Sequence, residues 1–470
     1  MWIWSRSLLG HNIVENLNDP TKWGKLEPLV ERLSENSAEA AIYWCNNACT
    51  ANELLDLIED QYARLAGWGV GPGDVVLLKG DYSPATVAVL LALIARNAIV
   101  VPLLPTTLAH HPPLIEIADP AYIIEVDSSE DAEASRRKQI SSGNLYDELR
   151  RREAPGLVLF TSGSTGEPKG VVHDFNRLLK KFHIGRSQLV TLNFLLFDHW
   201  GGLNTLLHCL FNGSPLVLPE NRSSEHVCKL IERHGVELLP ATPTFLNMLL
   251  ISRAYQGHDL TSLKLITYGA EPMPESTLQG LRTHFPNVEA RQTYGLIELG
   301  VLRTKSRSSD SLWVKMGGEG YDLRVVDGLL QIKAESAMLG YLNAPSPFTD
   351  DDYFRTGDRV EVDGEYMRVL GRESELINVG GEKVYPAEVE TALLECDIVD
   401  DAVVYGESNP IMGQIVCADI RISSPRDEID ARALIKTHCR ERLSAFKVPV
   451  KVNFVTDQLH GDRFKRLRRR

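Results

Sequence analysis

Short β-branched apolar runs alternate with longer stretches of helical periodicity over most of the chain. VVLLKG at 75–80 is such a run, 84–95 is apolar on every face as a buried helix is, and IVVPLL at 99–104 is again a strand. LVLF at 157–160 leads into a Gly/Ser/Thr loop, and SPLVLP at 214–219 precedes a helix around Glu225–His234. VELLPATP at 236–243 precedes a helix from near Thr244, and LKLITYG at 263–269 one from near Pro274. Strand, loop, helix, repeated, predicts α/β architecture with largely parallel sheets, which place ligands at the carboxyl ends of their strands. The stretch 85–104 has nearly the length of a membrane span, but Arg96, Asn97 and Pro102 interrupt it, so a buried helix and a strand are expected instead. GWGVGPGD at 67–74 reads as a turn. From about 310, LRVVDGLLQIKAES and GDRVEVDGEYMRVLGR alternate about Asp-Gly turns, which predicts β-hairpins. After Arg372 the runs IVDDAVVYGES and GQIVCADIRI and a helix over 429–443 predict a small α+β domain, so the boundary falls between domains 1–372 and 373–470. The terminal RFKRLRRR is a charge run whose ordinary reading is a solvated tail.

Composition narrows the function classes. Of 470 residues, 43% are hydrophobic and 24% charged, which is globular rather than disordered. Lys and Arg number 50 against 63 Asp and Glu, a formal charge of −13 that excludes a general nucleic-acid binder. Seven cysteines, with only Cys45 and Cys49 close together, make neither a disulfide scaffold nor a zinc site, so reduced thiols and a cytoplasmic location are expected. MWIWSRSLLGHN at the start carries Arg6 inside its apolar stretch and no small-residue cleavage site, so it does not read as a signal peptide.

The densest chemistry lies in LVLFTSGSTGEPKGVVHDF at 157–175. An apolar strand runs into Thr161, Ser162, Gly163, Ser164, Thr165 and Gly166, with Lys169 following. Glycines let the backbone turn its N–H groups inward, hydroxyls add donors and the lysine adds charge, a combination suited to a polyphosphate. The spacing is not that of a P-loop, because Glu167 rather than Lys follows Gly166, and GxGxxG is absent from 67–74.

TSGSTGEPKG resembles the phosphate-loop signature of the adenylate-forming superfamily, which includes acyl-CoA synthetases, peptide-synthetase adenylation domains and luciferases. Further motifs follow in that family's order from about residue 60 to the end. Tyr268, Gly269, Ala270, Glu271 and Pro272 resemble its adenine-contacting loop, and QTYGLIELG, with Thr293, Tyr294, Gly295 and Glu298, its aromatic-Gly-x-Thr-Glu segment. TGDRVEVDGEYMRVLGR holds the Gly-Asp and Gly-Arg pair as Asp358 and Arg372, and INVGGEKVYPAEVE opens the small domain with Gly380, Gly381, Glu382 and Lys383.

The resemblance implies a large N-terminal domain of stacked, mostly parallel α/β sheets with a small β-barrel-like subdomain, and a mobile α+β C-terminal domain. It implies ATP, Mg²⁺ and CoA, or a carrier-protein phosphopantetheine, as the chemical partners. Tyr294 would stack on adenine, Glu298 would hold Mg²⁺, Asp358 would accept the ribose hydroxyls, and Arg372 would reach ribose or phosphate. Ile297 stands where the family has threonine, and Ser374 where its hinge residue is commonly Asp or Lys. Lys465 keeps the Lys-to-Arg spacing with Arg468 of the family's C-terminal catalytic lysine, although Phe464 replaces a glycine. Gly380 to Lys383 would line a pantetheine tunnel. The acyl pocket would open on Asp198, His199, Trp200, Gly201 and Gly202, with Tyr268 and Gly269. Asp198 would pair with an amino-acid ammonium or turn away while His199 faces the acyl group. His199 followed by Trp-Gly-Gly, the GGEKVYP loop and the lack of a fused carrier module favour a non-amino acid, fatty or aryl. The expected activity is acyl-adenylate formation with release of pyrophosphate, then transfer to the thiol of CoA. An acyl-ACP ligase or stand-alone carrier-protein loading enzyme, and an inactive nucleotide binder, remain alternatives, and the oligomeric state is open.

Overall fold

A computed structural model of the protein describes residues 20–137, 141, 143–162, 167–423, 428–461 and 466. The chain forms two compact units, residues 1–220 with 338–346, and residues 221–337 with 347–470.

In the first unit, Val75–Lys79 pairs in parallel with Ile99–Leu103 on one side and Tyr122–Val126 on the other. The crossover between the first two is the helix Pro84–Ala95, buried from Pro84 to Ile94 and capped by Ser83, whose Oγ accepts from the Thr86 amide. A helix buried all round has no polar face, which is why 84–95 carries no amphipathic stripe. Ile99–Leu103 also pairs in parallel with Gly156–Ser162, and antiparallel strands Pro168–Asp174 and Gly340–Tyr341 complete that side of a seven-stranded sheet. Val75, Leu77, Val101, Val158 and Val172 fill its core with Tyr146 and Phe160. A second group of strands joins Ala40–Trp44 in parallel to Leu216–Val217, and that strand to Thr191–Leu192. SPLVLP thus contributes two paired residues, fewer than its apolar run suggests. No helix among the described residues is long and apolar enough to cross a membrane.

In the second unit, Leu238–Ala241, Leu265–Tyr268 and Glu289–Gln292 are parallel, with helices Pro243–Ser252 and Glu275–His284 as crossovers. Ala241, Tyr268 and Gln292 are neighbours in register, so the chain leaves the sheet after Tyr268 and after Gln292 side by side. A six-stranded antiparallel sheet follows, with Tyr321–Val326 and Leu329–Ala334 joined through Asp327 and Gly328, both at positive φ as a tight Asp-Gly hairpin requires. In the hairpin Phe354–Asp363/Tyr366–Arg372 the register puts Asp363 opposite Tyr366, so Gly364-Glu365, not Asp-Gly, makes the turn. The last hundred or so residues carry a five-stranded sheet, helices Pro386–Leu394 and Glu428–Arg442, and a core of their own built on Val384, Val389, Leu393, Val404, Ala418 and Ile435.

Candidate functional site

In the second unit the loops after Tyr268 and Gln292 are locked to each other. The Thr293 amide and hydroxyl both donate to the Tyr268 carbonyl, at 2.7 and 3.0 Å. A Cβ at Gly269 would stand 2.5 Å from Thr293 Oγ1, so only glycine fits that close approach. Ala270 follows at φ +71°, a left-handed conformation that costs a residue with a Cβ about 1–2 kcal/mol. Strain of this kind collects at ligand-binding turns. Gly295 and Leu296 pair with Val301 and Gly300 in a tight hairpin whose turn carries Ile297 and Glu298.

Tyr294, Asp358 and Arg372 form one hydrogen-bonded cluster. Asp358 lies opposite Arg372 across the antiparallel strands, and Arg372 Nε stands 3.2 Å from its Oδ1. The Tyr294 hydroxyl donates to Asp358 Oδ2 at 2.5 Å, and the Asp358 amide is held by Thr356 Oγ1 at 3.0 Å. Burial pushes the Asp358 carboxyl above the usual range, against the pull of Arg372 and the Tyr294 phenol, while the neighbouring Glu298 charge pushes the same way as burial. Burial, with the Asp358 carboxylate beside it, raises the Tyr294 phenol well above its ordinary value. Glu298 is itself buried, 9% exposed. A buried carboxylate of this kind fits magnesium, which takes one or two carboxylates and completes its shell with phosphate oxygens and water.

In the first unit the Gly/Ser/Thr loop joins two antiparallel strands, with Thr161 opposite Lys169 and Ser162 opposite Pro168. Gly163, Ser164, Thr165 and Gly166 lie outside the described residues. Lys169 is placed by the strand that follows the loop, and its ammonium sits 5.3 Å from the Tyr341 ring centroid, a cation–π contact. Asn343 braces this arm, accepting from the Gly170 amide at 3.0 Å and donating to the Pro168 carbonyl at 2.8 Å.

His199 caps the helix Trp200–Asn212, with Nδ1 accepting from the Gly201 amide at 3.2 Å. In the neutral ring that bond places the proton on Nε2. Asp198 is buried, 1% exposed, and accepts from the Thr107 hydroxyl at 2.5 Å. Trp200 is buried, and a Cβ at Gly202 would lie 2.2 Å from the Leu196 carbonyl oxygen and 2.5 Å from the Tyr82 hydroxyl. Gly202 therefore lets the first helical turn pack onto the backbone of 195–196, and Gly201 leaves room for the Leu195 side chain.

Gly380 and Gly381 form the two-residue turn between Val379 and Glu382, both at positive φ, and the Gly381 amide donates to Asn378 Oδ1 at 3.0 Å. Glu382 and Lys383 are exposed on the strand beyond it. Ser374 lies in a short 3₁₀ turn directly after Arg372. Lys465 lies outside the described residues.

Several residues that touch these positions carry no signal in the motifs. Thr107 and Asp198 are ninety-one positions apart, and the Tyr294–Asp358 bond depends on the register of a distant hairpin. Arg466 corrects the solvated-tail reading, because its side chain is only 8% exposed and pairs with a fully buried Glu390. Its hint was Glu390 itself, a carboxylate beside Val389 and Leu393 on the buried side of a helix.

Comparisons with known proteins identify the family and the fold. The family description "AMP-binding enzyme" matches residues 30–329, and "AMP-binding enzyme C-terminal domain" matches residues 388–463. The indoleacetate–CoA ligase of Aromatoleum aromaticum is 26% identical, over 86% of this chain and 89% of its own. The 2-succinylbenzoate–CoA ligase of Listeria innocua is 24% identical, over 91% and 94%. Among solved structures, the anthranilate CoA ligase AuaEII in complex with anthranoyl-AMP superposes with a TM-score of 0.78 at 20% identity, covering 93% of this chain and 95% of that one. The o-succinylbenzoate CoA synthetase of Bacillus subtilis, in complex with its acyl-adenylate intermediate, gives 0.72 at 23%, covering 93% and 96%. These two likenesses establish a common fold, and the family match over well more than half its length makes this chain a member of the AMP-binding enzymes.

Proposed function

We propose that the protein is an AMP-forming acid–thiol ligase that activates a small carboxylic acid with ATP and passes the acyl group to CoA. The observation that carries the reading is the Tyr294–Asp358–Arg372 cluster beside the loop Tyr268–Pro272, a buried carboxylate held between a phenol and a guanidinium where parallel strands end. In the first step a carboxylate oxygen of the acid attacks the α-phosphorus and pyrophosphate leaves. Both reactants are anions, so the protein's work is to position them and to surround the charge on the phosphoryl oxygens. Asp358 and Arg372 hold the ribose, Tyr294 and the 269–272 loop hold the adenine, and Lys169 with the Thr161–Gly166 loop takes the phosphates. Glu298 would hold Mg²⁺, which when bound neutralises phosphate charge. Lys465 brings the second cation to the reacting phosphate. In the second step the CoA thiolate attacks the acyl carbonyl and AMP leaves, with Gly380 and Gly381 giving the pantetheine arm close passage along the backbone.

Aryl acids are the favoured substrate class, supported by relatives named for indoleacetate, 2-succinylbenzoate and anthranilate. With Nδ1 engaged in the helix cap, His199 meets the acyl group through its Nε2 face. On this reading the chain divides at 372/373, with the C-terminal part as the moving domain, and works in the cytoplasm, which seven free thiols support.

ATP–pyrophosphate exchange with a panel of aryl acids tests the reading. Exchange that depends on the added acid is expected. Nucleotide binding without exchange for any acid would leave a silent homologue. AMP release sustained by free CoA, without a holo carrier protein, is the outcome that distinguishes a CoA ligase from a carrier-loading enzyme.

A further inference from the structure

Residues 339–343 return to the first unit and clamp the strand that carries Lys169. Leu339 and Leu342 pack on the core that holds Val158, Phe160 and Val172. The Leu339 amide donates to the Val172 carbonyl and the Leu342 amide to the Gly170 carbonyl, both at 2.8 Å. A Cβ at Gly170 would stand 2.8 Å from Leu342 Cδ1, so the two segments are in close contact. Asn343 completes the clamp. Its Oδ1 accepts from the Gly170 amide at 3.0 Å and its Nδ2 donates to the Pro168 carbonyl at 2.8 Å. Those groups belong to the two peptide units on either side of Lys169, so one side chain fixes the backbone from which the lysine projects.

The register of the same clamp meets the lysine's other end. Tyr341 lies opposite Val171. Lys169, two residues along the strand from Val171, shares its face and is the diagonal neighbour of Tyr341, within reach of a ring and a long side chain. The Lys169 ammonium sits 5.3 Å from the Tyr341 ring centroid. A lysine left to itself samples many rotamers and loses that freedom when it engages a ligand. A ring face restrains the ammonium beforehand. Unlike a carboxylate it leaves the positive charge uncancelled, and it meets the ammonium from one side, with N–H donors left over.

We propose that Tyr341 is a positioning residue for ATP: its ring holds the Lys169 ammonium ready for the outer phosphates, while Asn343 fixes the backbone beneath it. The inference rests on the reading of Lys169 as a phosphate-binding cation. The pair acts on the part of the nucleotide that leaves as pyrophosphate. Its influence is therefore confined to ATP and to adenylation, and AMP and the thioester step, which lack those phosphates, stand outside it.

The test uses the full-length protein and compares calorimetric affinities for ATP and AMP, with thioester formation from synthetic acyl-adenylate and CoA as the second readout. Tyr341→Leu is expected to weaken ATP binding about three- to thirtyfold, the range a cation–π contact spans. AMP affinity and the thioester step should change far less. Tyr341→Phe keeps the ring and should recover most of the loss. The double variant Tyr341→Leu/Lys169→Met should bind ATP no worse than Lys169→Met, because the ring acts only through the lysine. Equal weakening of ATP and AMP, no recovery in Tyr341→Phe, or losses that add in the double variant overturn the positioning role. So does unchanged ATP affinity in Tyr341→Leu when Lys169→Met lowers it, and the Lys169 reading then stands. Unchanged ATP affinity in Lys169→Met overturns that reading instead. Should Tyr341→Leu not fold, Asn343→Ala decides, since it spares the ring and the packed leucines: ATP binding must weaken at least threefold with AMP binding kept, or the proposal is wrong.

Discussion

Asp358 shows how much a single carboxylate depends on its surroundings. Left alone in its buried site it would favour protonation, and the Arg372 guanidinium and Tyr294 phenol work to keep it charged. Its proposed role as a ribose acceptor depends on that charge, since hydrogen bonds to charged groups contribute about 1.5–3 kcal/mol. Asp358→Ala should therefore weaken ATP binding roughly ten- to a hundredfold by calorimetric titration, and unchanged affinity would remove the ribose assignment. The motif singled out Asp358 and Arg372, and the strand register pairs them. The phenol on Asp358 was not legible in the sequence, because the Tyr294 ring meets it only once two distant segments are in register. Outside the Tyr294–Asp358–Arg372 cluster, protonated His258 donates through both ring nitrogens, to Glu232 at 2.7 Å and Glu225 at 2.9 Å. Those carboxylates raise its pKa, so the proton is bound more tightly in the folded chain. The stabilisation is complete below the unfolded value of about 6.5 and is lost as pH rises through the higher folded one. Melting temperatures of wild type and His258→Gln should differ most near pH 5 and converge on the alkaline side; a gap that widens with pH contradicts the assignment.

Among the elements, those with strong periodicity were the most legible. The uniformly apolar stretch at 84–95 became the buried crossover helix, and Asp327-Gly328 became the predicted hairpin turn. What periodicity does not carry is the choice among competing partners. Asp363 is drawn into its strand opposite Tyr366, which moves the second turn onto Gly364-Glu365. The Gly/Ser/Thr loop follows a strand as expected, but that it returns as an antiparallel strand, with Lys169 opposite Thr161, is a matter of pairing and not of pattern. At the start of helix Trp200–Asn212 the demand is steric. Gly202→Ala drives a Cβ into the Leu196 carbonyl, and the shift needed to relieve it should cost about 1–3 kcal/mol. Chemical denaturation reads this as a lower midpoint with unchanged slope. An unaltered midpoint would mean that the helix start has slack which the 2.2 Å approach denies.

Over the whole chain, α/β class and the α+β character of the last hundred residues were legible because each rests on many residues agreeing. The return of 338–346 to the first unit was not, since it adds only the two paired residues Gly340 and Tyr341 to a sheet edge. The substrate was illegible for a related reason: a pocket is a shape made by side chains far apart in sequence, whereas the nucleotide motifs are local. Both domain descriptions of the AMP-binding enzymes match the chain, and the likenesses to solved structures run over more than nine-tenths of it. The proposed two-step chemistry fixes the products as well as the rate. The most direct test supplies the full-length protein with ATP, Mg²⁺, CoA and an aryl carboxylic acid and counts every product. AMP, pyrophosphate and the acyl-CoA thioester should appear in equal amounts and only when the acid is present. ADP and phosphate in place of AMP and pyrophosphate, or AMP formed without a matching thioester, would contradict the account.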